Sequence, residues 1–247
     1  MGIKERLYNT LFLDIETAAL APSFDKLEEG LSAQWIRKSR RFIQLHDYPP
    51  SEEEVSALYH EKASIFAEFS KVVCVSVGII RAVDGQDQLR VRTIYHADER
   101  VLLLELADLL NSHFYDRYNH FICGHNIREF DIPFLCRRMI INDITLPNLF
   151  RISGMRAWQI THLLDTMDLW KFGDFKHFTS LELLCKSLQI PSPKSKMSGD
   201  MVSEAYWNNR IEDIKKYWEK DLVSTVRVFQ KLSGLPAQND DQIVFVD

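Results

Sequence analysis

The first strongly apolar run, "LFLDIETAAL" at residues 11–20, most constrains the fold because two carboxylates, Asp14 and Glu16, interrupt it. Side chains alternate along a strand, so both carboxylates project from the same face, about 6–7 Å apart along the chain. Two like charges beside a buried strand raise the free energy of the fold unless a cation offsets their repulsion. The run therefore predicts a strand over residues 7–16 whose end faces a bound cation.

Composition limits the kinds of protein that this chain can be. The 247 residues are 46% apolar, which is enough for one large core. Lys and Arg number 30 against 35 Asp and Glu, a net charge of −5. That balance argues against a domain that coats nucleic acid by charge alone. A nuclease stays compatible with it, because metal ions neutralise an acidic catalytic centre.

Cysteine usage and the lengths of the apolar runs predict the compartment. The four cysteines lie far apart, without a Cys-x-x-Cys pair: Cys74, Cys123, Cys136 and Cys185. Such spacing predicts reduced thiols in a reducing compartment and argues against disulfides and zinc ligands. The first ten residues contain no apolar signal core, and no apolar run is long enough to span a bilayer. We expect a soluble, cytoplasmic protein without a membrane partner.

Apolar periodicity predicts an α/β architecture: a mixed β-sheet flanked by α-helices in a single domain over residues 1–247. Strands are expected at 7–16, 71–80, 88–97 and 120–125, with another strand end at 162–170. Helices are expected after the capping boxes Ser51/Glu54 and Thr179/Glu182, over 98–116, from Asp131, and over 209–232. The core covers about 7–232, and residues 18–70 form an insertion with a helix, in which 18–50 reads as polar and irregular. Residues 233–247 form a tail for which docking as an edge strand and a loose state both stay open.

Further carboxylates lie at the ends or edges of other buried elements. Asp131 is at the start of a helix beside a buried strand, where capping that helix is an alternative role. Tyr217 and Asp221 are four residues apart on the last long helix, so they share one face at the border of its apolar stripe. Together with Asp14 and Glu16 they form an oxygen-rich set. Hard oxygen ligands favour Mg²⁺ or Mn²⁺ over zinc.

Three motifs resemble those of the DnaQ-like 3′–5′ exonucleases of ribonuclease H-like fold: "DIET" at 14–17, "GHNIREFDIPFL" at 124–135 and "YWEKD" at 217–221. They occur in the expected order, and the likeness spans about residues 7–232. Tyr217-x-x-x-Asp221 is similar to the tyrosine (DEDDy) subgroup, whereas the histidine subgroup carries His-x-x-x-x-Asp. In particular, the chain resembles stand-alone exonucleases related to the proofreading domain of family B DNA polymerases. The runs "AEFSKVVCVSVG" and "SGDMVSEAYW" are similar to that group as well.

The resemblance implies two-metal hydrolysis at a 3′ end, with release of nucleoside 5′-monophosphates from nucleic acid, single-stranded DNA being the favoured substrate. It assigns a bridge between both ions to Asp14, and the rest of one metal site to Glu16 and Asp221. Asp131 is expected to hold the second ion, and Tyr217 to orient the attacking water. The expected cofactors are two divalent cations, Mg²⁺ or Mn²⁺.

Residues near the motifs are candidates for contact with nucleic acid. The resemblance points to Thr17, Asn126 and Phe130, and the loop lysines Lys194 and Lys196 are candidate phosphate ligands. A basic cluster offers the same chemistry, although a solvated surface explains either group equally well: Arg37, Lys38, Arg40 and Arg41. Other polar residues near the motifs are better explained as caps or as packed side chains: Asp165, Asp168, His120 and His125.

Two alternative functions stay open at this point. One is a 3′–5′ exoribonuclease, because nothing in the motifs reads the 2′-hydroxyl. The other is a weakly active nucleic-acid-binding or assembly module on the same fold. A proofreading role would need a separate polymerase or repair partner, and oligomeric state does not follow from the sequence.

Overall fold

The computed structural model describes residues 2–43, 50–174, 178–191 and 199–246, except for the side chains of 3, 199, 200, 211–214, 216 and 217. The helices are α1 (Ile3–Tyr8), α2 (Glu29–Ser39), α3 (Glu52–Lys62), α4 (Glu99–His113), α5 (Asp131–Ile141), α6 (Thr166–Lys171), α7 (Leu181–Leu188), α8 (Gly199–Trp207) and α9 (Ile211–Leu232). The strands are β1 (Thr10–Ala19), β2 (Ser70–Val83), β3 (Gln86–Tyr95), β4 (Phe121–Gly124), β5 (Leu163–Asp165) and β6 (Ile243–Val246).

The described strands form one six-stranded sheet in the order β5-β4-β1-β2-β3-β6. β1 pairs antiparallel with β2, and β2 forms an antiparallel hairpin with β3. β4 pairs parallel with β1, and β5 with β4. The predicted mixed sheet with flanking helices in a single domain is therefore confirmed, and β1 lies inside it with neighbours on both sides.

The alternation of side chains along β1 divides the core into two layers. Leu11, Leu13 and Ile15 pack on one face of the sheet, against the apolar sides of α4 and α5. Phe12 points to the other face, where its ring meets Phe229 of α9 edge-on with the centroids 5.6 Å apart. Asp14 and Glu16 follow the same alternation as Phe12, so they lie on the α9 side.

The predicted bounds of the first strand were wrong at both ends. Residues 3–8 form α1, and the strand begins at Thr10 and continues past Glu16 to Ala19. A shift of register between Glu16 and Thr17 accommodates this continuation. Such bulges re-aim side chains locally, so the carboxylates lie within the strand and not at its end.

The prediction that residues 18–50 are irregular was also wrong, because α2 forms there. The Glu28 carboxylate accepts hydrogen bonds from the N–H groups of Gly30 and Leu31, which caps the helix. Trp35 is fully buried against α3, and its indole N–H donates to the Val55 carbonyl at 3.1 Å. α2 has few apolar residues, so its helical periodicity is weak in the sequence. Packing against α3 is what stabilises this helix.

The helix caps and the C-terminal tail have defined positions in the structure. The Ser51/Glu54 capping box is confirmed at the start of α3. The second box was wrong by one residue, since Ser180 caps α7 by accepting from Leu183 N–H. The tail docks: β6 pairs parallel with β3 at the edge of the sheet.

All four cysteines are free thiols, and three are buried while Cys136 is half-buried. No helix in the described ranges is both long enough and apolar enough to cross a membrane.

Candidate active site

Asp14 and Glu16 occupy the middle of β1 on the face that α9 covers. Asp14 pairs across the ladder with Ser76, and Glu16 with Cys74, both on β2. Both carboxylates are half-buried, while Ile15 between them is 5% exposed in the opposite layer. The strand thus presents two acidic groups side by side to a restricted space below α9.

Asp131 joins α5 to this pair through the backbone. Its side chain is 4% exposed and makes no cap for α5, whose N-cap residue is Phe130. Instead, Asp131 Oδ1 accepts the backbone N–H of Ile15 at 3.1 Å. Because Ile15 separates Asp14 from Glu16, this bond brings a third carboxylate to the same point of β1.

Gly124 allows β4 to approach β1 at that point. A Cβ at Gly124 would lie 2.8 Å from the carbonyl oxygen of Leu13 and 2.7 Å from Ile127 Cδ1. Real Cβ atoms do not come so close to a backbone carbonyl, so a side chain here would push the two strands apart. Glycine therefore sets the spacing beside Asp14.

Asp165 holds the loop between β4 and α5 in place. Its carboxylate accepts the backbone N–H groups of Asn126 at 2.9 Å and Arg128 at 3.1 Å. It also caps α6 by accepting Met167 N–H, so its predicted role as a cap is confirmed. The sequence did not predict the hydrogen bonds from Asp165 to the loop between β4 and α5. The only signal for them was the position of Asp165 at the end of a strand. Asp168 forms an ion pair with Arg128 at 3.4 Å.

Asp221 approaches the same space from α9. Leu222 next to it is fully buried in the core beneath β1, whereas Asp221 is half-buried. Tyr217 lies one helical turn earlier, and its side chain is outside the described residues. The backbone of α9 therefore puts both residues on the helix face that borders β1.

The pKa values of the four carboxyls reveal their mutual proximity. Burial, followed by the charges of Asp131, Glu16 and Asp221, raises the pKa of Asp14 well above its usual range. Burial together with the charges of Asp221 and Asp131 raises the pKa of Glu16 to about 8. Burial raises the pKa of Asp131 to about 7, although the Ile15 N–H opposes that shift, and burial raises the pKa of Asp221 to about 6. Four acids with raised pKa values favour bound protons or cations.

The positive charge that would stabilise these carboxylates does not come from the described side chains. Within the described ranges, no Lys or Arg forms an ion pair with any of the four. No three His, Cys, Asp or Glu side chains there converge closely enough to hold a metal ion. The carboxylates thus repel one another across the site without forming a complete coordination sphere.

The sequence of this chain matches a known protein family. Residues 65–242 match the family described as predicted 3′–5′ exonucleases related to the exonuclease domain of PolB. The chain belongs to this family. It is therefore an exonuclease enzyme, and the matched segment contains Asp131, Tyr217 and Asp221, whereas Asp14 and Glu16 precede it.

A solved structure of a family B DNA polymerase, from the hyperthermophilic archaeon Pyrobaculum calidifontis, is similar to this exonuclease in fold. The TM-score is 0.53 at 16% sequence identity, over 90% of this chain and 24% of the polymerase. The exonuclease thus spans about a quarter of that polymerase. No curated protein matches its sequence significantly.

The predicted nucleic-acid contacts of the exonuclease occupy different environments. Asn126 has a left-handed backbone with φ of 60°, and its buried Oδ1 has no hydrogen-bond partner among the described residues. Thr17 is buried and donates its hydroxyl proton to the Ser64 carbonyl at 2.7 Å. Phe130 is half-buried beside the Phe134 ring. Lys194 and Lys196 lie outside the described residues.

The two histidines of the second motif region have internal partners. His125 Nδ1 lies 2.9 Å from Thr166 Oγ1, and its Nε2 lies 2.9 Å from the Thr179 carbonyl oxygen. His120 Nδ1 accepts Asp116 N–H at 3.2 Å. Both histidines therefore pack as structural side chains, as the sequence predicted.

Proposed function

We propose that the protein removes nucleotides from the 3′ end of single-stranded DNA and releases nucleoside 5′-monophosphates with the help of two divalent cations, Mg²⁺ or Mn²⁺. The observation that carries this proposal is the hydrogen bond from Ile15 N–H to Asp131, which joins the second motif to the first. The spacing of Tyr217 and Asp221 supports membership of the DEDDy subgroup.

The donor set fits hard divalent cations. Asp14, Glu16, Asp131 and Asp221 supply only carboxylate oxygens, the ligands that Mg²⁺ and Mn²⁺ prefer. Their raised pKa values show that bringing these groups together costs free energy which bound cations would offset. When bound, a pair of such ions would stabilise the charge on the attacking and leaving oxygens of an in-line displacement.

The chain's own residues would then position the reaction. Asp131 is fixed by the Ile15 N–H, so it serves as the rigid member of the set. Tyr217 would orient the attacking water by a hydrogen bond and would not act as a free base. Asn126, in the loop between β4 and α5, would contact the substrate strand.

The proposal includes a substrate, a partner and a cellular compartment. The substrate is nucleic acid with a free 3′ end, and a separate polymerase or repair protein would supply ends for correction. The four free thiols suit a reducing, cytoplasmic environment.

The test is shortening of a 5′-labelled oligonucleotide with Mg²⁺ or Mn²⁺, using single- and double-stranded DNA and RNA in parallel. We expect Asp14→Asn and Asp221→Asn to abolish shortening, and Tyr217→Phe to slow it strongly. Asp168→Asn is the matched control, because it removes a carboxylate that pairs with Arg128 outside the site. Full activity of Asp14→Asn would refute the proposal. Faster shortening of RNA than of DNA would identify RNA as the substrate. Binding without cleavage would identify the protein as a binding module.

A further inference from the structure

A basic groove lies on the insertion, and its cationic residues precede the segment that the exonuclease family matches. It is formed by α2, the residues directly after it and the chain that enters β2, and its volume is about 410 Å³. Arg37, Lys38 and Arg41 line it together with Glu68 and the buried ring of Phe69. We refer to it below as the α2 groove.

The two arginines of the α2 groove have no ion-pair partner among the described residues. Arg37 and Arg41 are exposed, and within the described ranges no carboxylate forms an ion pair with either. Lys38 places its ammonium 3.8 Å from the ring centroid of Phe66, which holds it against the wall. With Glu68 included, the groove keeps an excess of two positive charges in a chain whose net charge is −5. Such local concentration attracts a polyanion.

The insertion is fastened to the strand that carries the catalytic carboxylates. Thr17, next to Glu16, donates its hydroxyl proton to the Ser64 carbonyl in the turn after α3. Leu20 N–H donates to the Phe69 carbonyl at 2.9 Å, so the wall of the groove lies opposite Leu20. Leu20 is four positions after Glu16, which is about 13 Å along a strand. A single strand that leaves the carboxylates along β1 would therefore reach the groove within a few nucleotides.

A positively charged groove that follows the backbone is a usual means of binding single strands without reading their sequence. We propose that the α2 groove binds the backbone phosphates of the substrate strand a few nucleotides to the 5′ side of the residue being removed. This inference rests on the proposed function, since it extends the substrate path away from the same carboxylates. It assigns to Arg37 and Arg41 the role of phosphate ligands.

Substrate length makes the proposal testable. The variant Arg37→Ala/Arg41→Ala leaves Lys38 on Phe66 and changes two exposed side chains, so we expect an unchanged melting temperature. On a single-stranded 12-mer its kcat/KM should fall because phosphate contacts are lost. On the p-nitrophenyl ester of thymidine 5′-monophosphate, which is too short to reach the groove, kcat/KM should equal that of the wild type.

Salt dependence gives a quantitative readout. Each phosphate contact to a single strand contributes about 0.7 to the slope of log affinity against log salt concentration. Loss of two contacts should flatten the slope for the 12-mer by about 1.4, which is about sevenfold between 50 and 200 mM salt. The control Arg90→Ala/Lys231→Ala also removes two exposed cations, one on β3 and one at the end of α9. It should leave the slope unchanged.

The outcomes separate the two proposals. Equal slopes for the wild type and the α2-groove variant on the 12-mer would overturn the groove while leaving the proposed function intact. An equal loss in the control variant would also overturn it, because net charge and not position would then matter. A wild-type protein that hydrolyses neither substrate would instead contradict the proposed function.

Discussion

The hydrogen bond from Ile15 N–H to Asp131 Oδ1 gives a single backbone donor an unusual position between two acidic side chains. An asparagine at position 131 keeps an oxygen that can accept this bond but lacks the negative charge. The residue therefore offers a way to separate the fold of the site from its electrostatics.

We predict that Asp131→Asn stabilises the metal-free protein at pH 8 and abolishes hydrolysis. The stabilisation follows because the variant removes one of four mutually repelling charges. Each kcal/mol of relief corresponds to about 2–4 °C in a protein of this size. Thermal unfolding with a chelator present measures the first effect, and the labelled oligonucleotide measures the second. A lower melting temperature at pH 8 would contradict the electrostatic explanation.

At the level of strands and helices, the spacing between β1 and β4 depends on Gly124. We predict that Gly124→Ala destabilises the protein by about 1–3 kcal/mol, because its Cβ would overlap the Leu13 carbonyl and Ile127. Activity should fall with it, since Asp14 follows Leu13 directly. Gly30→Ala on α2 is the control, where the nearest atoms belong to the flexible Glu28 side chain. There an alanine should cost less free energy, because a side chain can shift where a backbone carbonyl cannot. Equal denaturation midpoints for the two variants would argue against the close approach.

A buried ion pair joins α4 to α5. Arg138 and Glu99 are 5% and 9% exposed, and Glu99 also accepts the backbone N–H of Val72 while Arg138 donates to the Ala67 carbonyl. We predict that Arg138→Ala lowers the free energy of unfolding by about 3–5 kcal/mol, because it leaves the Glu99 charge buried without its partner. Urea denaturation measures this loss. The double variant Arg138→Met/Glu99→Gln should recover part of it, and a double variant as unstable as Arg138→Ala would contradict the explanation.

Elements with a strong local signal could be predicted from the sequence, and those that depend on distant contacts could not. The Ser51/Glu54 box and the β2–β3 hairpin, with Asp84 and Gly85 at positive φ in its turn, are local features. α2 could not be found in this way, because the Trp35 indole finds its partner twenty residues away on α3. Residue types and spacing predicted the acidic set. The hydrogen bond between Ile15 and Asp131 could not be predicted in this way, because it joins residues 116 positions apart that only the fold brings together.

For the whole molecule, the acidic site predicts how stability depends on pH. A carboxyl whose pKa is higher in the folded than in the unfolded state binds more protons when folded, so its contribution to stability is greatest at low pH. That contribution is complete below the unfolded pKa near 4 and is lost as pH rises through the folded values of about 6, 7 and 8 for Asp221, Asp131 and Glu16.

We therefore predict that the metal-free protein loses stability between pH 5 and pH 9, and that millimolar Mg²⁺ or Mn²⁺ restores it at pH 8. Preferential binding of cations to the folded state raises the melting temperature by mass action. Calorimetric scans with chelator and with metal across this range measure both effects. Asp14→Asn should flatten the pH dependence and reduce the gain with metal. A melting temperature that changes with neither pH nor metal would contradict the assignment of the site.

The place of β1 inside the sheet has a consequence for inactivation. Its backbone amides are bonded to β2 on one side and, at its beginning, to β4 on the other, whereas β5 and β6 lie at the margins. Transient opening of the marginal strands exposes their amides to exchange while the interior stays closed. Amide protons around Ile15 should therefore exchange with deuterium among the slowest in the protein, and heating should destroy catalysis only when the whole domain unfolds.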